Sequence, residues 1–183
     1  MKHRSLDEYH RFLDSFAHRF RAARQQRGML ADSLVGVSAV SVRAYEAGKA
    51  QPTAVQLGCC ALALRISSDW LLGSIGNDAA PQWREYNEDS YLCRDSKRAR
   101  RGVTLLVGRR LRAARKLNGS RVSQYRLAQQ AGISSVHQYE QGHVMPRAFI
   151  LRCLTRELGV ACDWLIGLAP SEPLLRLPFT RAA

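Results

Sequence analysis

Apolar residues recur three and four positions apart along most of this chain, the period of a helix with one buried face. Leu57, Cys60, Ala61 and Leu64 fall at i, i+3, i+4 and i+7, and Leu151, Leu154, Thr155 and Leu158 repeat that spacing. Val107, Leu111 and Ala114 form a similar stripe, as do Leu6, Tyr9, Leu13, Phe16 and Phe20 nearer the start. Breakers divide these stretches: Gly28, Gly36, Gly48 and Pro52 early, Gly119, Gly132, Gly142 and Pro146 later. Two sets of about five short helices are expected, and no stretch alternates with period two for long enough to be a strand. The fold class is therefore expected to be all-α.

The two sets are copies of one another. Residues 45–73 lie over residues 139–167 at a constant offset of 94 without a gap, and 12 of the 29 positions are identical. Tyr45, Glu46, Gly48, Pro52, Ala54, Leu57, Cys59, Leu64, Asp69, Trp70, Leu71 and Gly73 each meet their own kind. Random pairing would give about two, so the unit is duplicated. Upstream, Arg21-Ala22-Ala23-Arg24 matches Arg112-Ala113-Ala114-Arg115 at an offset of 91.

Charge narrows the class of partner. The chain has 28 Lys and Arg against 15 Asp and Glu, a net charge of +13, which favours a polyanion. Residues 1–76 contribute 10 basic and 6 acidic side chains, 77–101 contribute 6 and 5, and 102–183 contribute 12 and 4, so most of the positive field belongs to the second copy. The start of the chain mixes Lys2 and Arg4 with Asp7 and Glu8 and has no apolar run of the kind found in a signal peptide, and no stretch has the length of a membrane span. A cytoplasmic protein with no membrane partner is expected. The cysteines, Cys59, Cys60, Cys93, Cys153 and Cys162, form no Cys-x-x-Cys pair and read as reduced core thiols, with no metal and no cofactor expected. There is no phosphate loop, His-Glu-x-x-His or nucleophile elbow, so an enzyme is not expected.

Both copies carry Tyr-Glu-x-Gly, a proline at the fourth position after that glycine, and then Asp69-Trp70-Leu71-Leu72-Gly73 or Asp163-Trp164-Leu165-Ile166-Gly167. In these anchors each copy resembles the lambda-repressor-like, Cro-type helix-turn-helix proteins, also called the XRE family. The resemblance covers residues 16–73 and 106–167, and it implies two tandem five-helix helix-turn-helix domains. It implies that Arg24 and Arg115 pair with Glu46 and Glu140, clamping the first helix to the one that reads DNA. Trp70 and Trp164 are then core residues. The DNA-reading side chains would be Ser38 as N-cap with Ala39, Val40, Ser41 and Arg43 in the first copy, Val42 facing inward. In the second copy they would be Ser134, Ser135, His137 and Gln138. Lys49, His143 and Arg147 after the reading helix, and Gln124 at the start of the second helix, are candidates for phosphate contact.

Each copy departs from the family pattern at the motif itself. From Gly132 to Glu140 there are eight steps where Gly36 to Glu46 has ten, so the second reading helix should be short at its start. In the first copy, Gly28 to Gly36 spans eight steps, about three fewer than the family pattern, so its second helix must be cut short or begin differently. Either the copies meet DNA with altered geometry, or one or both have turned to binding protein.

The domain reading places a first unit with an extended N-terminal helix at 1–76, a linker at 77–102, a second unit at 103–170 and a tail at 171–183. A flexible linker of that length spans about 28 Å. Adjacent major grooves, about 34 Å apart, would then be within reach of one chain. Trp83, Tyr86, Tyr91 and Leu92 suggest that part of the linker packs on a domain, and Lys97-Arg98-Ala99-Arg100-Arg101 would close it with a basic run. The first helix is expected to begin earlier in the first copy than in the second. Leu6, Tyr9 and Leu13 need cover, from within the chain or from a homodimer. The function expected is that of a sequence-specific transcription regulator of a prokaryote, phage or mobile element, binding double-stranded DNA. The alternative is a protein-interaction regulator, such as an anti-activator, antirepressor or antitoxin-like protein, that contacts another regulator or RNA polymerase.

Overall fold

The computed structural model describes residues 6–74, 83–86, 97–117 and 122–169. The C-terminal tail, Cys93, Tyr91 and Leu92 lie outside them. Among the described residues there are nine helices and no strand. The first unit has α1 (Leu6–Gln26), α2 (Ala39–Glu46), α3 (Ala54–Leu64) and α4 (Ser68–Leu72). The second has α5 (Lys97–Leu117), α6 (Gln124–Ala131), α7 (His137–Glu140), α8 (Ala148–Leu158) and α9 (Cys162–Leu165).

The duplication extends further than the matching residues. The bounds of α5 are those of α1 shifted by 91, and the bounds of α8 are those of α3 shifted by 94. The first helix therefore does not begin earlier in the first copy. Residues 97–102, expected to end the linker, form the opening turns of α5, and the equivalence is hidden because a basic run stands where α1 has Leu6, Tyr9 and Asp7. Val103, Val107, Leu111 and Ala114 of α5 are buried like Phe12, Phe16, Phe20 and Ala23 of α1. In both units the stripes of α3 and α8 close the core, and each fully buried Leu there contributes about 1.5–3 kcal/mol.

Among the described residues the first unit has four helices rather than five. Between α1 and α2, residues 27–38 run through turns, with Leu34 and Val37 buried where a second helix would have placed its apolar face. Eight steps from Gly28 to Gly36 leave no room for two helical turns and the loops at either side. The second unit keeps that helix as α6, started by the Ser123 side chain accepting from Arg126 N and ended by Gly132 at φ +65°. Its successor α7 has four residues, as the spacing implied, and no side-chain cap.

The units are docked against one another, and the contacts are reciprocal. Ala54 N donates to Pro146 O and Ala148 N to Pro52 O, both at 2.9 Å, on either side of a Thr53–Arg147 bridge. Cys162 N donates to both carboxylate oxygens of Asp69 at 2.8 and 2.9 Å. Asp163 accepts from Ser68 N at 2.8 Å and from the Ser68 hydroxyl at 2.5 Å. Exchanging each residue with its counterpart 94 positions away maps these bonds onto one another, which is the signature of an isologous, two-fold contact. Here it lies inside one chain.

The exchange is unequal in one respect. The first unit starts α3 and α4 with its own caps, a Thr53–Gln56 capping box and Ser67. The second has Arg147 and Ala161 at those places, and neither supplies a side-chain cap. The first unit provides the missing acceptors: Pro52 O and Gln51 Oε1 for Ala148 N and Phe149 N, and Asp69 for Cys162 N and Asp163 N. A helix start left without acceptors costs about 0.5–2 kcal/mol per lost cap. The second unit is thus completed by the first.

Tyr9 and Leu13 find cover within the chain. Leu13 is buried in the core and the Tyr9 ring meets Phe149 edge-on with centroids 5.3 Å apart, leaving Leu6 exposed. Part of the connecting segment packs as well: Trp83 bridges to Ile66 and lies under the Arg27 guanidinium, and the Tyr86 hydroxyl donates to Ile66 O at 2.9 Å and to Asp163 at 3.3 Å.

Candidate nucleic-acid interface

Each unit holds the helix expected to read DNA through one arginine. The Arg24 guanidinium donates twice to Glu46, at 2.5 and 3.1 Å, and once to Met29 O. Arg115 donates twice to Glu140, at 2.6 and 3.0 Å, and once to Val122 O. One planar fork thereby ties α1 or α5 to the last residue of α2 or α7 and to the segment that follows the first helix. The carboxylate hydrogen bond raises the pKa of each arginine, so both stay charged at any working pH. The Glu140 side chain is 1 % exposed against 12 % for Glu46, which makes the second clamp the drier one.

Gln124, expected at a phosphate, also joins that clamp: its amide donates one N–H to Glu140 Oε2 at 2.6 Å. The carboxylate, with three donors, is satisfied within the fold.

The remaining expected contacts fall into two groups. In the first unit Ser38 caps α2 by accepting from Ser41 N at 3.2 Å. Ser38, Val40 and Arg43 are exposed, Ala39 and Ser41 are half-buried, and Val42 is buried. Lys49 follows Gly48, whose φ of +65° turns the chain out of α2 and leaves the lysine exposed. In the second unit His137 and Gln138 open α7, while Ser134 and Ser135 stand in the turn ahead of it. Ser134, His137, Gln138, His143 and Arg147 are exposed and Ser135 is half-buried. The clamps thus hold one set of solvent-facing side chains per unit. Arg147, at the bridge to Thr53, stands at the seam between the units.

Close approach of α7 to α5 depends on one glycine. A Cβ at Gly108 would stand 2.6 Å from Tyr139 O and 2.7 Å from Glu140 O, well inside contact distance. Its counterpart 91 positions earlier is Ala17, so α2 sits against α1 with room for a methyl.

Other pairs were not singled out from the sequence. Arg19 donates to Trp70 O at 2.7 Å and lies over the Trp70 ring, and Arg110 does the same to Trp164. The signal was present, since Arg19 and Arg110 are identical at the offset of 91. Trp70 is buried as expected, whereas Trp164 is half-buried beneath its arginine.

Absence of a second helix in the first unit leaves an apolar groove of about 320 Å³ beside α3, lined by Met29, Val35, Leu62, Ala63 and Tyr86 among others. Val35 and Val40 stay exposed at 65 % and 74 %. At the seam, burial and the neighbouring Asp163 push the Asp69 carboxyl up to about 7, against backbone donation from Cys162 and Asp163 and the charge of Arg84. Burial likewise raises the Cys60 and Cys162 thiols, which stay protonated. Cys59, Cys60, Cys153 and Cys162 are buried outside any disulfide. Among the described residues no helix is long and apolar enough to cross a membrane. Comparison with protein-family models, curated proteins and solved structures finds no significant match.

Proposed function

We propose that this chain is a sequence-specific DNA-binding transcription regulator carrying two lambda-repressor-like helix-turn-helix units. The observation that carries the reading is the pair of arginine–glutamate clamps, each holding a short helix with exposed polar or basic side chains, in a chain of charge +13. A helix fixed at its C-terminal end by a buried ion pair presents its N-terminal side chains in a defined geometry, which base-edge contacts require. Arg43 suits guanine, Gln138 adenine, and Val40 the thymine methyl. Lys49, His143 and Arg147 would meet phosphates.

A second reading has its own support. The groove left by the missing helix, lined by Met29, Val35 and Leu62, suits a protein partner better than a phosphate backbone, which favours a first unit that binds another regulator. A gel-shift with random-sequence duplex at two salt concentrations separates the two. Tight binding that weakens steeply with salt supports the DNA reading. No shift at low salt would leave the protein-binding reading standing alone.

A further inference from the structure

Resting on the DNA-binding reading, we propose that a single chain occupies a bipartite duplex site, with two unlike half-sites at one fixed spacing and order. The usual arrangement for such domains is two identical chains on a palindrome, in which protein and operator share a two-fold axis. Here the two-fold contact is internal. Ala54 with Pro146 and Ala148 with Pro52 close it in the backbone, and Asp69 with Cys162 and Asp163 with Ser68 close it through side chains. The surface that would pair one unit with a second chain is therefore already occupied by the other unit.

The same arginine geometry clamps the last residue of α2 to α1 and of α7 to α5, so the contact that exchanges α3 with α8 also puts the C-terminal ends of α2 and α7 in corresponding places, although α7 is shorter and lies closer to its first helix at Gly108. Two helices related in this way match the local two-fold symmetry of a duplex, where equivalent positions recur about one turn, 10–10.5 base pairs, apart. The arrangement is rigid because the second unit takes the acceptors for the starts of α8 and α9 from the first, so a swinging motion would strand buried N–H groups. Reading side chains differ between the halves. Val40 and Arg43 in one, and His137 and Gln138 in the other, cannot favour the same base edges, so a palindrome would satisfy one half and leave the other mismatched.

The test uses the full chain and a pool of random duplexes of about three helical turns, from which bound sequences are enriched and the complex weighed by native mass spectrometry. The expected result is one chain per duplex and two unlike sequence blocks centred about 10 base pairs apart. Inserting about five base pairs between the blocks turns the second to the opposite face and should cut affinity about tenfold or more. Two chains on a palindromic consensus would overturn the inference while leaving DNA binding intact. So would tolerance of the insertion within about twofold, the behaviour of two units on a flexible tether. Failure to bind any duplex at low salt would overturn the DNA reading itself, and this inference with it.

Discussion

Raising the pH from 5 to 7.5 is expected to weaken the fold, and the cause is one buried carboxyl at the seam between the units. An unfolded aspartate titrates near 3.9. In the fold, burial and the adjacent Asp163 push Asp69 up to about 7. Between those values the folded chain keeps a proton that the unfolded chain has released, so stability falls with rising pH by about 1.4 kcal/mol per unit. The contribution is fully present below about pH 4, declines through neutrality and is flat above Asp69's folded value. From pH 5 to 7 the loss is about 2 kcal/mol, since the slope slackens as the folded carboxyl itself begins to ionise near its own value, and this is a large share of the 5–15 kcal/mol typical of a domain. Asp163, Tyr86, Cys162 and Arg84 face the same site. Comparison with Asp69→Asn, which is uncharged at every pH and keeps one oxygen for Cys162 N, therefore isolates the effect. Urea unfolding at half-unit pH steps should give a steeper decline for the natural chain than for the variant. Equal slopes, or a natural chain that gains stability relative to Asp69→Asn, would refute the reasoning.

Gly108→Ala gains about 1 kcal/mol in helix propensity but drives a methyl into two backbone carbonyls. The net loss should be about 1–3 kcal/mol by thermal melting, with the second unit's DNA contribution weakened. Arg115→Met should destabilise by about 3–5 kcal/mol, and by more than Arg24→Met, because Glu140 is the drier partner; the reverse order in calorimetry would contradict the clamp geometry. Unfolding should follow one cooperative transition, since α8 and α9 are capped from the first unit; two separate transitions would show independent units. Arg147→Ala with Gln138→Ala should cost more DNA affinity than Arg43→Ala with Lys49→Ala, by fluorescence anisotropy, because the second half of the chain holds most of the charge.

The duplication, the all-α class and both clamps were legible in the sequence because they depend on anchors at fixed spacing: Tyr-Glu-x-Gly, the following proline, and an arginine on the first helix. The length deficits also pointed to where the motif departs. A short α7 followed from Gly132 to Glu140, while the space after Gly28 pointed to a second helix cut short or begun differently, not to turns in which Leu34 and Val37 take its place. The start of α5 was hidden by a basic run that looks like a linker end, because a repeat is recognised from side chains while a helix is fixed by the backbone. Docking was hidden for a different reason. An aspartate that opens α4 looks like a local cap, and nothing near it records that its oxygens serve Cys162 and Asp163. The usable signal was an omission: Arg147 and Ala161 stand where a helix start calls for Ser, Thr, Asp or Asn, so acceptors had to come from elsewhere. The Gln124 amide, expected at a phosphate, also joins the second clamp, a role that its spacing did not show.

The central claim is that DNA is met by the side chains held on and after α2 and α7, rather than by positive charge at large. The direct measurement is the salt dependence of duplex affinity, from about 50 to 200 mM, for the natural chain and for Lys49→Ala and Arg147→Ala separately. Each variant should fold normally by circular dichroism and lower the steepness of log affinity against log salt by about one. Slopes unchanged by both substitutions would place the phosphate contacts elsewhere and contradict the account.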